Sequence, residues 1–456
     1  MKFLSTLIFA SFLVTSLSAK ELASKVHKLN WDGLEVVWVE DDRFPTYDLS
    51  VYFADGALSD NPNRKGESQA ALGLLTTGTN RYKQKELVDH LEFFGVSHGP
   101  YVTHEYSLYN VSGLVKDSIP TFKRLCHMFT DATYPKREVD REIKRAKDAL
   151  TNMVSDPGSL ASRAFRELSL AGTPYAYPVE GKLRDLSRLS PGHLKDKLEY
   201  FNQKVAKRVY VTGPKQILKI KEILNNECGW KGKDASFKRE ITFTKEFSSK
   251  DPEIFLVSVP GSNQAQVRIG RFLSEELVQP REAVELLSTY LGGGFTSLLM
   301  RELRSSRGLV YSAGAFAAGQ KSYGRAAIQT STKNESAAAL LGVVKELLVE
   351  LKEGKIRDNI FAISKGRLMG SYPFRFEKSS DFLQQLIYLD HVGVNYQRFL
   401  DFPDYLSKVD EAEMAKWGGQ IFDWNKQTIV ILGDKSLAKK LSEFGKVTVV
   451  GYKDFL

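Results

Sequence analysis

The residues best placed to do chemistry lie between Leu298 and Phe316, in the stretch LLMRELRSSRGLVYSAGAF. Arg304 and Tyr311 stand seven residues apart there, with Gly308 between them. A guanidinium can grip a carbonyl or carboxylate in a planar fork. A phenol can hydrogen-bond a carbonyl and the oxyanion of its tetrahedral intermediate. Taken alone, however, the pair reads as an ordinary helix-end arginine and a core tyrosine. The histidines offer less. Glu86 and His90 are four apart on a predicted helix, a spacing common on exposed helices. His98 follows, and His104 beside Glu105 falls in a predicted strand. His27, His127, His193 and His391 form no short-range cluster. Gly314 to Lys321 has the glycine spacing of a phosphate-binding loop, but Gln320 stands where the lysine is required. There is no GxSxG elbow, and neither cysteine sits in a nucleophile motif.

The elements that must position these residues read as one plan used twice. In the first half Leu34–Val39 and Tyr47–Phe53 are strand-like. A polar loop, Asp60 to Gly66, leads into an apolar helix from Glu67 to Thr77. A short helix at Lys85–Phe94, strands through Tyr101–Val111 and a helix at Ser118–Thr130 follow. A further helix from Arg137 to Met153 carries Val139, Ile143, Ala146 and Leu150 on one stripe. The second half repeats the order, with strands at Ile254–Val259 and Ala265–Gly270 and a helix from Arg281 to Leu291. A helix at Leu298–Arg304 and strands at Val310–Ala317 and Gly324–Thr330 come next, so that Tyr311 opens a strand. Asn334 is the expected cap of a helix that Gly354 stops. The fold class expected is α+β: two homologous sandwich-like halves, each a mixed, mainly antiparallel sheet with helices packed on one face. The joint near Gly229–Asp251, with a plausible strand at Ile241–Thr244, divides the chain into residues 20–232 and 233–456.

Composition narrows the function. The 456 residues are 42% hydrophobic and 26% charged, ordinary globular material. The net charge of +9 is spread among acidic residues without an arginine block, so no nucleic acid is implied. Lys2, an apolar run from Phe3 to Leu17 and Ser18-Ala19 have the form of a secretory signal peptide, residues 1–19. The mature chain is expected to be exported, to a bacterial periplasm, without membrane contact. Cys126 and Cys228 hardly make a disulfide framework. Cys126 lies between Phe122 and Phe129 and reads as a small buried hydrophobe; whether it pairs with Cys228 stays open.

Over about residues 25–450 the order of features resembles the pitrilysin/insulinase-type zinc peptidases, best the short bacterial members related to mitochondrial processing peptidase. The supporting stretches are Gly56-Ala57-Leu58-Ser59-Asp60-Asn61-Pro62, Leu74–Thr79, Asn263–Gln266, Leu291-Gly292-Gly293-Gly294-Phe295 and Gly370–Glu377. In that family an inverted HxxEH motif on a first-half helix binds zinc, and its glutamate activates water. Aligned on Gly78-Thr79, the motif falls on Gln69 to Gly73. Gln69 and Gly73 replace the histidines and Leu72 replaces the base. On the later helix Glu142 is present, while the third ligand position is Ala149. Neutral Gln, Gly and Ala cannot replace two imidazoles and a carboxylate, so no metal is expected in this chain.

The second-half motif is intact by contrast. The resemblance implies that Arg304 and Tyr311 form a substrate clamp, and Arg301 and Arg307 have the wrong spacing to Tyr311. It further implies a non-catalytic subunit of an exported heterodimeric peptidase, facing a zinc-bearing homologous partner across a chamber that takes a peptide substrate. The alternative is a peptide-binding or structural scaffold, like the core subunits of the respiratory cytochrome bc complex, which share the fold. In relatives the substrate adds as a strand roughly where Ser97-His98-Gly99-Pro100 falls. Pro100 lacks the N–H that such pairing uses.

Overall fold

A computed structural model describes residues 19–230 and 251–456. Most of the expected leader, the 232/233 boundary and the strand expected at Ile241–Thr244 lie outside the described residues. Each half contributes six strands. In the first they are β1 (Val26–Trp31), β2 (Leu34–Glu40), β3 (Thr46–Phe53), β4 (Ser97–Val102), β5 (Ser107–Leu114) and β6 (Lys207–Gly213), in sheet order β1-β2-β6-β3-β5-β4. In the second they are β7 (Glu253–Ser258), β8 (Gln264–Leu273), β9 (Ala313–Gly319), β10 (Gly324–Lys333), β11 (Thr428–Gly433) and β12 (Val447–Gly451), in order β12-β7-β11-β8-β10-β9. Strands β2 to β6 therefore recur as β7 to β11 in the same chain order and the same spatial order. In both halves the first and last of these strands pair in parallel and the others antiparallel. This is the expected mixed, mainly antiparallel α+β fold in two halves.

The halves differ at one edge. Beside β2 lies β1, joined to it by a hairpin turn in which Asp32 and Gly33 both take positive φ. That is the primed turn whose twist suits an antiparallel pair. Beside β7 lies β12, from the end of the chain, in parallel.

One face of each sheet packs under helices of its own half. Val36, Trp38, Leu49, Val51, Phe53, Val209 and Val211 join Phe122, Phe129 and Phe201 in one core. The other face is covered from across the molecule. Helix Pro157–Ser169 belongs to the first half, yet Leu160, Ala161, Ala164 and Phe165 pack on Val257, Ala327, Val430 and Leu432 of the second sheet. Its start is fixed by Asp156, which accepts from Ser159 N at 3.2 Å. The buried Arg268 of β8 donates to Gly158 O at 2.9 Å and to Ser162 Oγ at 3.2 Å. Reciprocally, helix Ser379–His391 of the second half lies on β6, and its apolar side joins Val37, Val39, Leu108 and Tyr210. Each fully buried apolar side chain along these seams is worth about 2 kcal/mol.

Polar contacts fix the same seam. Tyr210 donates to Asp390 at 2.8 Å, and the Tyr52 hydroxyl meets His391 Nδ1 at 3.0 Å. His391 Nε2 lies 3.2 Å from Glu105, which also accepts from Tyr175 at 2.7 Å. Burial alone would raise the Glu105 carboxyl, but the hydrogen bonds from His391, Tyr175 and Ser322 outweigh it and hold the group below its ordinary value.

Three local expectations need correction. His104 lies in the turn between β4 and β5 rather than in a strand, because its Nε2 is drawn to Tyr177 O at 2.7 Å. Asn334 does not cap the helix Ala337–Lys352; its amide instead donates to Ser262 O at 2.6 Å. Cys126 is buried as expected but is not a plain hydrophobe, because it forms a disulfide with Cys228, Cα to Cα 4.5 Å. Helix Ser118–Thr130 packs on helix Lys221–Asn226, and that contact delivers Cys228 across 102 residues of sequence. Among the described residues no helix is long and apolar enough to cross a membrane.

Two predictions follow from this frame. Closing so long a loop is worth about 5 kcal/mol, so reduction, or replacement of both cysteines by serine, should lower Tm in calorimetry; an unchanged Tm would contradict the pairing. Because the folded Glu105 carboxyl is held low, its stabilisation is complete above the ordinary carboxylate range. It is lost as pH falls from the ordinary carboxylate range through the lower folded value. Glu105→Gln should therefore lower stability at neutral pH and flatten the acid side of the stability–pH curve. An acid limb identical to that of the parent protein would refute the network's role.

Candidate functional site

The first-half candidate is helix Glu67–Gly73. Asp60 anchors it, accepting from Gly66 N at 2.9 Å and Ser68 N at 3.0 Å, while Lys197 lies 3.3 Å from the same carboxylate. The helix packs on helix Pro191–Lys204 and on β4, and Tyr134 donates to Ala71 O at 2.7 Å. Ala71 and Leu72 are buried in the first-half core. Gln69 is half-buried and Gly73 is exposed. These two share the outward face at i, i+4, and a side chain at position 73 would meet Pro100 of β4 at 3.9 Å. Helix Lys136–Asn152 runs alongside, its Leu150 in a small apolar cluster against which Ala70 and Ile143 pack, leaving Ala149 exposed. Glu142 is turned to Arg145 at 2.9 Å and Arg141 at 3.2 Å.

This surface has the geometry of a site without its donors. Gln69, Gly73 and Ala149 offer neither imidazole nor carboxylate, and a leucine packed in the core cannot accept a proton. The residues present do not fit a zinc ion. Among the described residues no three His, Cys, Asp or Glu side chains are grouped to hold a metal. His90, His98 and His104 are tied into the packing of this half. The ring of His90 is buried and meets Phe94 edge-on, its titration pushed down by burial and by Arg124. His98 is bonded to Tyr109 at 3.0 Å, and burial pushes His104 down to about 4. Glu86 does not pair with His90; it accepts from Lys83 N at 2.7 Å.

The second-half candidate is built from two loops. Helix Arg281–Gly292 ends against β9, where a Cβ on Gly292 would lie 2.0 Å from Ala315 N. After Gly293 and Gly294 the chain exposes Phe295 and then turns into the wide helix Met300–Ser305, which carries Arg304. Gly308 closes that helix in the left-handed region, with φ 61°. Its N–H reaches Arg304 O at 3.0 Å and Leu309 N reaches Leu303 O at 2.8 Å, the paired bonds of a glycine-terminated helix end.

Tyr311 does not open the strand as expected. It lies in the loop two residues before β9, because the chain regains extended pairing only at Ala313, opposite Thr330. The loop position leaves Tyr311 80% exposed, so it is not a core tyrosine. The Arg304 guanidinium carbon sits 5.0 Å from the centre of the Tyr311 ring and 5.2 Å from that of Phe295, itself 75% exposed. Such contacts hold a guanidinium in place. Among the described residues Arg304 has no carboxylate partner, whereas Arg307 is paired with Glu302. The structure thus brings Arg304 and Tyr311 together and adds Phe295, which no spacing rule had pointed to.

A separate cavity of about 280 Å³ is lined by Arg281, Arg375, Arg398, Glu282, Glu285 and aromatic residues. Its charges are largely matched internally: Arg398 forks onto Glu282 at 2.7 and 3.1 Å, Arg375 pairs with Glu285, and Arg281 donates to Tyr388 at 3.0 Å. It reads as packing between helices.

Comparison with known proteins agrees with the two-half fold. The family model for insulinase (peptidase family M16) matches residues 35–180, and that for the peptidase M16 inactive domain matches residues 208–368. A Helicobacter pylori protein described as a non-peptidase homolog, YmxG, is 22% identical over 439 residues, covering 96% of this chain and 100% of its own length. Among solved structures, the peptidase M16 inactive domain from Pseudomonas fluorescens superposes with a TM-score of 0.79 at 20% identity, covering 90% of this chain and 98% of that one. The periplasmic protease PqqL from Escherichia coli gives a TM-score of 0.70 at 13% identity, covering 91% of this chain and 48% of that one, so this chain spans about half its length. The chain belongs to the insulinase-type peptidase family M16, as a member without the HxxEH motif.

Proposed function

We propose that this protein is a pseudo-peptidase subunit, exported to a periplasm, whose Arg304 and Tyr311 complete the substrate site of a zinc-bearing homologous partner. The observation that carries this reading is the contrast between the two candidate sites. The first has lost every metal donor, while the second keeps a half-buried guanidinium against an exposed phenol, with no carboxylate partner to that guanidinium among the described residues. In such a pair the guanidinium grips a substrate carbonyl or carboxylate, and the phenol donates to the oxygen that gains charge as the peptide bond is attacked. The attacking chemistry belongs to the partner. Pro100 supports the division of labour, since a proline on edge strand β4 removes a donor from the place where a peptide strand would pair. The Cys126–Cys228 disulfide supports export, because such bonds persist in oxidising compartments.

The test is reconstitution with a short homologue that keeps HxxEH; such a homologue encoded beside this chain would favour the pair, and its absence would favour a scaffold. The pair should cleave unstructured peptides in a zinc-dependent manner, and this chain alone should not. Arg304→Ala with Tyr311→Phe should reduce kcat of the pair about a hundredfold or more. Full activity in that double variant would sink the clamp. A stable pair that cleaves nothing would favour a peptide-binding or structural scaffold.

A further inference from the structure

The clamp carries more positive charge than a carbonyl grip requires. The Arg367 guanidinium, from helix Asp358–Ser371, lies directly against Gly294, where even a Cβ would come within 1.9 Å of Nη1. Gly294 precedes Phe295, whose ring flanks Arg304. Two guanidiniums therefore border one glycine-rich loop. Among the described residues neither has a hydrogen bond or ion pair to a protein acceptor. Arg307 on the same segment is tied instead to Glu302. Phe295 and Tyr311 remain exposed on the same surface.

The aromatic contacts also restrict how Arg304 can be used. A guanidinium flanked by rings presents its N–H groups along its edge, the geometry that matches a carboxylate with two parallel hydrogen bonds. A second cation one loop away favours an anion over a neutral carbonyl. Resting on the clamp reading above, we propose that Phe295, Arg304, Tyr311 and Arg367 form a receptor for a carboxylate of the substrate peptide. The substrate class is then a peptide with an acidic side chain or a free C-terminus at this position. Gly294 is a glycine because Arg367 occupies the space of its side chain.

The experiment measures anisotropy of fluorescein-labelled Gly-Ser peptides with the full chain. The peptides carry one central Asp, Asn or Lys with an amidated end, or no charged residue and a free C-terminus. The expected result is roughly tenfold tighter binding of a carboxylate-bearing peptide than of the Asn peptide. The preference should weaken with salt and disappear in both Arg304→Gln and Arg367→Gln. Phe295→Ala should weaken it, and Phe295→Tyr should restore it. Either carboxylate source supports the receptor, and the two arms tell which it is. Equal binding of Asp, Asn and free-end peptides, or no binding of any, would overturn the proposal. So would a preference that survives Arg367→Gln. If the Asp, Asn and free-end peptides all bind alike while the Arg304→Ala, Tyr311→Phe pair loses cleavage, the clamp stands and this inference alone fails.

Discussion

The reciprocal exchange of helices between the halves is the constraint on which the rest of the molecule depends. A mixed sheet whose central strands are apolar on both sides cannot leave either face in water. Here each half covers only one face with its own helices. The second face of the second sheet is closed by Leu160, Ala161, Ala164 and Phe165, and that of the first by the helix ending at His391. Neither half is complete without the other. The alternation along β2, with Val36 and Trp38 to one core and Val37 and Val39 to the other, is the imprint of this arrangement on the sequence.

With both faces closed, the edges of the sheets are what remains for function. The repeat places a helix and then an edge strand at the same point in each half: Glu67–Gly73 before β4, and Arg281–Gly292 before β9. At the first edge the metal donors are gone, and Pro100 interrupts the backbone donors. At the second, the helix itself blunts the edge, since Ala317 N donates to Ser288 Oγ at 2.8 Å. What is left accessible there is the pair of loops carrying Phe295, Arg304 and Tyr311. On the reading proposed above, a duplicated fold keeps the frame of two sites and the chemistry of one.

Much of this was legible in sequence, for identifiable reasons. Strands with one polar neighbour in two, such as Tyr47–Phe53, announced themselves by alternation. The Arg304–Tyr311 spacing and the loss at Gln69, Leu72, Gly73 and Ala149 needed only local order. The hairpin Trp31-Asp32-Gly33-Leu34 carries an Asp-Gly turn signal that marks the β1–β2 pair locally. Central strands β6 and β11 are short apolar runs buried on both sides, which periodicity cannot separate from buried helix. The Cys126–Cys228 bond and the approach of Arg367 to Gly294 depend on contacts between distant helices and loops, and no spacing rule reaches them. Tyr311 was displaced from its expected strand because pairing with β10 starts only at Ala313, a register decided by the partner strand.

The central claim is that the active site is divided, with the metal in one chain and the clamp in another. Native mass spectrometry of this chain, alone and mixed with a short homologue that bears HxxEH, measures that division directly. The account predicts no bound zinc on this chain alone and a one-to-one pair that carries zinc. Stoichiometric zinc on this chain by itself, or failure of any pair to form, would contradict it.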